Sequence, residues 1–465
     1  MAKIVVLGAG VIGLSIGMML ARQGHDVSVF ERDDEPVPSS PEDAWLKWER
    51  RGVGQFRQAH YIHSAARQIL DHHLPEVTET LLRAGCLRFD VSTLMPPSIA
   101  DRARLDDDDR FETITGRRTT IEYAVASTAE TQISVRRGVS ISGLLTGPSA
   151  AAGVPHIAGV YTANGEEITA DLVVDGMGRN SRLPEWLTAA GARRPIEEPV
   201  DHGFIYYTRH FRTRTGALPA CRAGLRADYP SFSLLALPGD SGTWCVSLFI
   251  YSGDRALKAL RDLERWTALV AACPQYAHWL DGEPISELLP LAGVADRYRR
   301  FVVAGAPVVT GIVSVGDAWA CTNPIGGRGI SMGLMHAAGT AEVIQQYLDD
   351  PLALAVEQDA MTEARVTPWY RDTLEFDLQR HAEITASIQG RPAPVLYEAR
   401  NALLLAMPHD ATLFRGFLET VSLLALPQEV IARPGVRDRI AALAGAHEQR
   451  NPPCPSREEL VRMLA

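Results

Sequence analysis

The 465-residue sequence lacks an excess of basic residues. It contains 46 Lys and Arg against 56 Asp and Glu, and its formal net charge at pH 7 is −10. A protein that binds nucleic acid needs a basic face to neutralise the phosphates. The composition therefore predicts that nucleic acid is not a partner.

Long apolar runs are also missing. No segment reaches the roughly 20 consecutive apolar residues that are needed to cross a bilayer. The apolar N-terminus is interrupted by glycines and ends in the polar stretch 22–26, which fits a strand, a turn and a helix better than a signal peptide. We therefore expect a cytoplasmic protein with no membrane partner.

Metal-binding patterns are scarce. The six cysteines include no Cys-x-x-Cys pair, which favours reduced thiols in packing positions. His60, His63, His72 and His73 lie close together, and the spacing of the first two would put both on one helix face. No carboxylate or cysteine accompanies them at ligand spacing, so we predict no metal site.

A glycine-rich turn near the N-terminus is the first positive signal. The sequence Gly8-Ala9-Gly10-Val11-Ile12-Gly13 follows a short β-branched run and opens a helix. The three glycines allow a tight turn, a close approach of pyrophosphate and close helix–strand packing, and the helix N-terminus supplies amides. Glu31 ends the next strand about 20 residues further on, where a carboxylate can bind ribose hydroxyls. The pattern predicts a dinucleotide site and leaves FAD and NAD open.

Hydrophobic periodicity predicts the remaining elements. The pattern indicates a loop over residues 32–44, a hairpin turn at Asn164-Gly165, and mostly helical structure after residue 350. The predicted helices cover residues 65–84, 119–131, 256–272 and 329–347. The predicted strands cover residues 135–145, 160–162, 168–174, 203–214, 231–237, 243–251 and 312–315.

Five further segments favour FAD over NAD and resemble those of a known enzyme family. In chain order and spacing they resemble the para-hydroxybenzoate hydroxylase-like FAD-dependent monooxygenases, and in particular a bacterial natural-product branch that includes flavin epoxidases and hydroxylases. The resemblance covers about residues 1 to 350 at the level of motifs. The segments that carry it are Arg50–His60, Gly116–Glu122, Asp171–Ser181, Ser314–Ala318 and Asn323–Ile330.

The resemblance implies roles for individual residues. Asp317 would bind the ribityl chain, the glycine loop would lie beside the pyrimidine end of the flavin, and Arg118 would reach the phosphates or the ribityl chain. Gly54, Gln58, Met177 and Arg328 depart from the residues usual in this family. The full set of predicted cofactor residues is Gly8, Gly10, Val11, Ile12, Gly13, Glu31, Arg32, Arg50, Arg51, Gln55, Arg118, Val139, Asp175, Gly316, Asp317, Pro324, Gly326, Gly327, Gly329 and Ile330.

The same resemblance, with the element pattern, implies an α/β architecture. We predict a discontinuous Rossmann-type FAD-binding domain over residues 1–75, 110–195 and 300–350. An inserted, mainly antiparallel substrate domain would cover residues 76–109 and 196–299, and a helical C-terminal region would cover residues 351–465.

The predicted activity is monooxygenation. The resemblance implies that reduced FAD and O2 form a C4a-hydroperoxyflavin, which passes one oxygen atom to an apolar aromatic or alkene small molecule in bacterial secondary metabolism. Tyr206, Phe232 and Trp244 are predicted to line the substrate pocket, and His60 is the nominated acid/base or orienting group. Electrons would come from NAD(P)H directly or through a separate flavin reductase.

Three alternatives remain open from the sequence. The Asp-Gly-x-Gly-Arg form of residues 175–179 is similar to geranylgeranyl-reductase-like enzymes, which would make the chain an FAD-dependent reductase or dehydrogenase of a prenyl or cyclic substrate. The same form occurs in flavin halogenases, but their Trp-x-Trp-x-x-Pro element is missing here. A non-catalytic or redox-sensing FAD protein is the third alternative.

Overall fold

The computed structural model describes residues 1–200, 203–443 and 453–465. The strands of this part of the chain, numbered in order, are β1 (Lys3–Leu7), β2 (Asp26–Phe30), β3 (Tyr61–Ile62), β4 (Leu87–Asp90), β5 (Glu112–Thr115), β6 (Ser134–Arg136), β7 (Ile141–Ala151), β8 (Val154–Thr162), β9 (Glu167–Thr169), β10 (Leu172–Asp175), β11 (Ile196–Val200), β12 (Phe204–Arg212), β13 (Arg226–Asp228), β14 (Ser233–Pro238), β15 (Thr243–Tyr251), β16 (Glu283–Pro284), β17 (Leu289–Leu291), β18 (Asp296–Arg300), β19 (Val302–Val303), β20 (Ala306–Pro307), β21 (Ile312–Ser314) and β22 (Ala320–Cys321).

The helices of the same residues are α1 (Val11–Arg22), α2 (Pro41–Leu46), α3 (Ser64–His73), α4 (Pro75–Arg83), α5 (Arg118–Ala129), α6 (Leu183–Ala189), α7 (Leu263–Ala271), α8 (Gly329–Tyr347), α9 (Pro351–Arg365), α10 (Thr367–Ile388), α11 (Glu398–Ala406), α12 (Ala411–Val421), α13 (Pro427–Ile431), α14 (Val436–Leu443) and α15 (Arg457–Leu464). Within the described residues, none of these helices is both long and apolar enough to cross a membrane.

A parallel sheet of order β21-β10-β1-β2-β6 combines strands from residues 3–30, 134–136, 172–175 and 312–314. Strands β21, β10, β1 and β2 are largely buried, because α1, α5 and α8 cover one face of the sheet, and α6 with the β7-β8-β9 sheet covers the other. Parallel sheets bring the carboxyl ends of their strands to one edge, and ligands of open α/β folds bind at that edge. The strand ends at residues 7, 175 and 314 therefore lie side by side.

The predicted antiparallel sheet is present. Its strand order is β13-β14-β15-β12-β16, and β17 also pairs with β12. One face packs on α7 and α15 through Trp266, Leu269 and Leu460, while the opposite face, with Tyr206 and Phe249, packs on the segment between β22 and α8 and on α10. The alternation of side chains along a strand separates these two faces.

Several predicted boundaries were wrong. The helix predicted over residues 65–84 is two helices, because Pro75 lacks an amide hydrogen and starts α4 instead of continuing α3. The loop predicted over residues 32–44 contains the start of α2, which Ser40 caps by accepting a hydrogen bond from the amide of Asp43. The helix over residues 256–272 is a short 3₁₀ turn followed by α7, which Asp262 caps.

Two predicted strands are also divided. Residues 135–145 contribute to both β6 and β7, and residues 168–174 contribute to both β9 and β10, because the chain passes between sheets there. The amide of Asp171 bonds the carbonyl of Lys3 at the point where the chain joins the parallel sheet. The prediction of α8 over residues 329–347 and of the hairpin turn at Asn164-Gly165 was confirmed.

Buried histidines make the fold sensitive to acid. Burial lowers the pKa of His63 and His336 to about 3 and that of His210 to about 4. Below pH 6.5 the unfolded chain therefore binds more protons than the folded chain, and the free energy of unfolding falls as the pH falls. Each histidine should contribute a loss of about 1.4 kcal/mol per pH unit. Urea denaturation at pH 7 and pH 5 measures this loss.

A pair of variants checks the source of the acid sensitivity. His336→Gln should remove the share of one histidine, about 1.4 kcal/mol per pH unit, from the pH dependence, whereas His72→Gln, at an exposed position, should leave it unchanged. Equal stability of the natural protein at pH 7 and pH 5 would contradict the prediction.

Candidate functional site

A cleft lies at the carboxyl edge of the parallel sheet. It is bordered by the turn after β1, the end of β2, the segment 50–60, the start of α5, the turn after β10 and the loop between β22 and α8. Fifteen of the predicted cofactor residues line it: Gly8, Gly10, Val11, Ile12, Glu31, Arg32, Arg50, Gln55, Arg118, Val139, Asp317, Pro324, Gly327, Gly329 and Ile330.

The glycine turn after β1 has the geometry of a phosphate cradle. Gly8 has a φ of +94°, and its amide bonds the carbonyl of Phe30 at 2.7 Å. A Cβ atom on Gly10 would meet no atom within 4 Å, whereas one on Gly13 would lie 2.0 Å from the carbonyl oxygen of Gly8. Gly10 thus faces open cleft at the N-terminus of α1, and Gly13 allows the helix and the turn to touch.

Glu31 is buried at the end of β2 and is held in place by several donors. Its carboxylate accepts hydrogen bonds from the amides of Ala9 at 2.9 Å and Asp33 at 3.0 Å, and from Arg50 at 2.9 Å. The guanidinium of Arg50 also reaches Glu122 at 3.3 Å. Protein donors alone therefore hold the carboxylate of Glu31, which was predicted to bind ribose, in the wall of the cleft.

Guanidinium groups surround the middle of the cleft. Arg118 and Arg179 both line it, and Nη1 of Arg179 is buried without a hydrogen-bond partner among the described residues. Burial raises the pKa of the Asp317 carboxyl, and the guanidiniums of Arg118, Arg179 and Arg297 oppose that rise. Positive charge and an unsatisfied donor at this place suit an anionic ligand such as a diphosphate.

The turn over residues 51–55 closes one side of the cleft. A Cβ atom on Gly54 would lie 2.4 Å from Nη2 of Arg179, and one on Gly52 would lie 3.0 Å from Nη2 of Arg32. Glycine at both positions lets these guanidiniums pack against the turn.

The loop between β22 and α8 is held from outside the cleft. The amide of Asn323 bonds Asp296 at 2.7 Å, and the hydroxyl of Tyr206 donates to the side chain of Asn323. Arg328 points away from the cleft and bonds Asp372 at 2.5 Å and the carbonyl of Thr420 at 3.2 Å. Arg328 therefore connects the loop to α10 and α12.

Five predicted cofactor residues do not line the cleft. Arg51 is exposed to solvent, and Gly13, Gly316 and Gly326 shape the backbone behind the cleft wall. Asp175 is completely buried and accepts hydrogen bonds from the amide of Met177 at 3.0 Å and the hydroxyl of Ser181 at 2.5 Å. The carboxylate of Asp175 organises the turn after β10, because its oxygens are occupied by that turn.

His60 lines the cleft but is not on a helix. It precedes β3, and its Nδ1 lies 3.0 Å from the carbonyl oxygen of Gln58. The expectation that His60 and His63 share a helix face was wrong, since β3 separates them and α3 begins after His63. Burial, together with Arg118, lowers the pKa of His60 to about 3, so the ring is neutral at physiological pH.

The predicted pocket aromatics divide between the two faces of the insert sheet. Tyr206 opposes Phe249, on the face that turns towards the cleft, and Phe211 opposes Trp244 on the other face. Trp244 donates to the carbonyl of Trp279 at 2.8 Å, and it packs with Phe232 in the core beside α7. Trp244 and Phe232 are thus buried in the core of the insert, and the register of Trp244 places it on the outer face of the sheet.

Sequence reasoning also missed residues of the cleft. Arg179 ends the Asp-Gly-x-Gly-Arg segment and was not predicted as a cofactor residue, although a guanidinium suits a phosphate. Trp186 and Arg182 line the cleft near Val139, and only the tertiary fold brings α6 there. In the described ranges 1–200, 203–443 and 453–465, no group of three or more His, Cys, Asp or Glu residues is arranged to hold a metal ion.

Comparisons with known proteins bear on this cleft. A family model described as FAD dependent oxidoreductase (DAO) matches residues 3–85, which carry the glycine turn and Glu31. The chain is 27% identical over 459 residues to Protein Rv3254 of Mycobacterium tuberculosis (strain ATCC 25618 / H37Rv), covering 90% of this chain and 89% of that protein. It is 24% identical over 373 residues to a kynurenine 3-monooxygenase of Salinispora arenicola (strain CNS-205), covering 77% and 76%.

The chain is an FAD-dependent oxidoreductase. The expectation of an enzyme that uses FAD is thereby confirmed. The fold of this oxidoreductase is similar to that of OxyS anhydrotetracycline hydroxylase from Streptomyces rimosus, with a TM-score of 0.56 and 18% identity over 91% of this chain and 76% of that chain. At this identity the likeness concerns the fold alone.

A prediction for the oxidoreductase concerns Glu31. Glu31→Ala should weaken FAD binding roughly 10- to 150-fold, because a charge-assisted hydrogen bond to a ribose hydroxyl contributes about 1.5–3 kcal/mol. FMN lacks the adenosine half, so its affinity should change little. Fluorescence titration of the cofactor-free protein with FAD and with FMN measures both. Equal losses for the two flavins would show that Glu31 supports only the fold.

Proposed function

We propose that this oxidoreductase is a monooxygenase that inserts one oxygen atom of O2 into an apolar aromatic or alkene small molecule. The observation that carries the proposal is the convergence of three features on one cleft. These are the glycine turn at Gly10, the carboxylate of Asp317 and the glycine loop that opens α8. The kynurenine 3-monooxygenase relative supports the same reaction class.

The proposal assigns roles to the lining residues. The amides at the N-terminus of α1 and the guanidiniums of Arg118 and Arg179 would hold the diphosphate, and Asp317 would accept from the ribityl hydroxyls. The N-terminus of α8 after Gly327 would favour negative charge at the pyrimidine end of the ring system. Bound FAD would supply the activation of O2, and the remaining residues would bind, orient and exclude water.

The domain assignment is part of the same proposal. Residues 1–75, 110–195 and 300–350 would form the discontinuous Rossmann-type FAD-binding domain, and residues 76–109 and 196–299 the substrate domain. The parallel sheet, which draws its strands from residues 3–30, 134–136, 172–175 and 312–314, supports the first assignment. The helices from α9 onwards support a separate region over residues 351–465.

The para-hydroxybenzoate hydroxylase-like branch remains the proposed relationship. It is supported by the order of the motifs and by the cleft that they share. His60 is proposed as an orienting residue, because a neutral ring that lies 3.0 Å from the carbonyl oxygen of Gln58 can fix the cleft wall. A ring with so low a pKa would be a poor base at neutral pH.

The experiment that tests the function is aerobic turnover under ¹⁸O₂. The FAD-loaded protein is supplied with NADH, with NADPH, or with a flavin reductase, together with aromatic and alkene candidate compounds. We expect consumption of O2 and a product that carries one ¹⁸O atom, detected by mass spectrometry. Comparison of the three electron sources also shows whether NADH or NADPH reduces the bound FAD directly or only through the flavin reductase.

One alternative remains, favoured by the Asp-Gly-x-Gly-Arg segment over residues 175–179. It is a reductase or dehydrogenase that acts on a prenyl or cyclic substrate. Turnover of a compound under strict anaerobiosis, to a reduced or dehydrogenated product without ¹⁸O, would establish this alternative and reject oxygen insertion.

A further inference from the structure

The turn that carries Asp317 connects β21 to β22 and is a single 3₁₀ turn over residues Gly316–Ala318. Asp317 lines the cleft, yet among the residues that the structure describes its carboxylate accepts no hydrogen bond. The carboxylate of Asp175, by contrast, is occupied by the turn after β10. The direction of the Asp317 side chain is therefore set by the backbone of its turn.

The turn packs closely against α1 and α8. Gly316 is buried with a φ of +59°, and a Cβ atom on it would lie 3.1 Å from Cγ2 of Ile12 in α1. A Cβ atom on Gly333 of α8 would lie 2.6 Å from Cδ1 of the same isoleucine. Glycine at both positions therefore lets the turn and the two helices meet around Ile12. This packing brings α8 within hydrogen-bond reach of the turn.

His336 of α8 holds the buried amide of the turn. The side chain is 1% exposed, and the amide of Gly316 donates to its Nδ1 at 3.3 Å. Buried amides in native proteins nearly always have a partner, and the ring of His336 supplies this one. Trp319 lies against the ring in a T-shaped arrangement, with 4.8 Å between the ring centres, which limits the orientation of the imidazole.

The second ring nitrogen of His336 is held by α9. Because Nδ1 accepts, the neutral ring carries its proton on Nε2. Nε2 lies 3.2 Å from Oγ1 of Thr362, and that hydroxyl donates to the carbonyl of Gln358 at 2.7 Å, which leaves its oxygen free to accept. The side-chain amide of Gln358 lies 3.1 Å from the same nitrogen. Burial lowers the pKa of His336 to about 3, so the ring is neutral at physiological pH.

The carbonyl side of the turn is held separately. Arg299 donates to the carbonyl of Ala318 at 3.1 Å, and the amide of Trp319 bonds the carbonyl of Gly316 at 2.9 Å. Neither contact restrains the amide of Gly316, for which His336 is the acceptor. The entry into the turn thus depends on one side chain of α8, whose length and acceptor atom must both fit.

We propose that His336 is a positioning residue for FAD, whose Nδ1 holds the turn so that the carboxylate of Asp317 faces the cleft before the cofactor binds. The proposal rests on the role assigned to Asp317 in the proposed function, and it is independent of the reaction that follows. A turn that is ordered in the free protein removes a cost of ordering from cofactor binding. Through Thr362 and Gln358, α9 supports cofactor affinity without lining the cleft.

Two amide variants that differ by one methylene group test the acceptor atom. His336→Asn places its side-chain oxygen close to the position of Nδ1, whereas His336→Gln reaches the position of Nε2 and leaves no acceptor beside the amide of Gly316. Because the turn would then be ordered only on binding, His336→Gln should weaken FAD about tenfold, and His336→Asn less than about twofold. Fluorescence titration of the cofactor-free proteins with FAD measures both affinities.

ADP separates a local effect from a general one. It has the adenosine and the diphosphate of FAD but no ribityl chain, so its affinity, measured by calorimetry, should change less than about twofold in either variant. In the Asp317→Ala protein, His336→Gln should weaken FAD no further, because the histidine acts through that carboxylate. His156→Gln is the matched control, since Nδ1 of His156 lies 3.0 Å from Oγ1 of Thr310 outside the cleft, and it should leave the FAD affinity unchanged.

The outcomes are distinct. Equal FAD affinity of the natural, His336→Asn and His336→Gln proteins would overturn the proposal, and so would equal losses of FAD and ADP in His336→Gln. Unchanged FAD affinity in Asp317→Ala would reject the role of Asp317 and, with it, the proposal. Affinities that change as expected, together with a product that carries no ¹⁸O, would support the positioning role and reject only the proposed oxygen insertion.

Discussion

Asp317→Ala should yield a largely colourless protein that is poor in FAD. The carboxylate of Asp317 lines the cleft at the end of the parallel sheet, where it is surrounded by Arg118, Arg179 and Arg297. Loss of a charged hydrogen-bond acceptor weakens binding by about 1.5–3 kcal/mol, which is roughly 10- to 150-fold in affinity. Removal of the carboxylate also leaves the guanidiniums without an opposing charge. The ratio of flavin to protein absorbance after purification measures the result.

A control distinguishes this loss from general misfolding. Asp43→Ala removes a half-buried carboxylate of α2 that lies outside the cleft, and it should leave the flavin content unchanged. Far-ultraviolet circular dichroism of the Asp317→Ala protein should show the natural secondary structure. Full FAD content in that variant would mean that Asp317 has no contact with the cofactor.

Two alanine substitutions in the glycine turn should have different effects. Gly13→Ala places a Cβ atom 2.0 Å from the carbonyl oxygen of Gly8, and neither backbone can move without disturbing β1 or α1. We expect a loss of stability of at least about 3 kcal/mol, at the upper end for overpacking. Gly10→Ala meets no protein atom within 4 Å, so the stability of the cofactor-free protein should be unchanged. The added methyl group would instead occupy the place of a diphosphate and weaken FAD roughly 10- to 100-fold.

Thermal unfolding of both cofactor-free variants, followed by titration with FAD, separates the two outcomes. A Gly13→Ala protein as stable as the natural one would mean that the close contact between turn and helix is relieved in solution. Natural FAD affinity in the Gly10→Ala protein would show that the turn after β1 is not part of the cofactor site.

Sequence reasoning located those parts of the site where the local backbone conformation requires a particular residue type. Gly8 and Gly10 are required by a positive φ and by an approach of a ligand to the main chain, and both requirements are local. The lengths of α8 and of the hairpin at Asn164-Gly165 followed from local pattern for the same reason.

The parts that it missed depend on tertiary register. Nothing in the spacing of Tyr206, Phe232 and Trp244 shows which face of the insert sheet meets the cleft, and a shift by one residue exchanges the faces. Arg179 and Trp186 reach the cleft only because β10 and α6 lie beside β1. The groove between β13, α10 and α11 could not be predicted either, because residues distant in sequence, such as Asp228 and Tyr397, meet there.

The hydrogen bonds of Arg328 make the cofactor-binding part of the chain depend on the C-terminal helices. Arg328 belongs to the flavin loop, yet its partners Asp372 and Thr420 lie on α10 and α12. A chain shortened after α8 would keep every cofactor motif and lose those partners, which would leave a buried guanidinium without compensation. The C-terminal helices therefore cannot be exchanged between related enzymes unless the arginine is exchanged with them. A chimeric enzyme would need Arg328, Asp372 and Thr420 to come from the same parent.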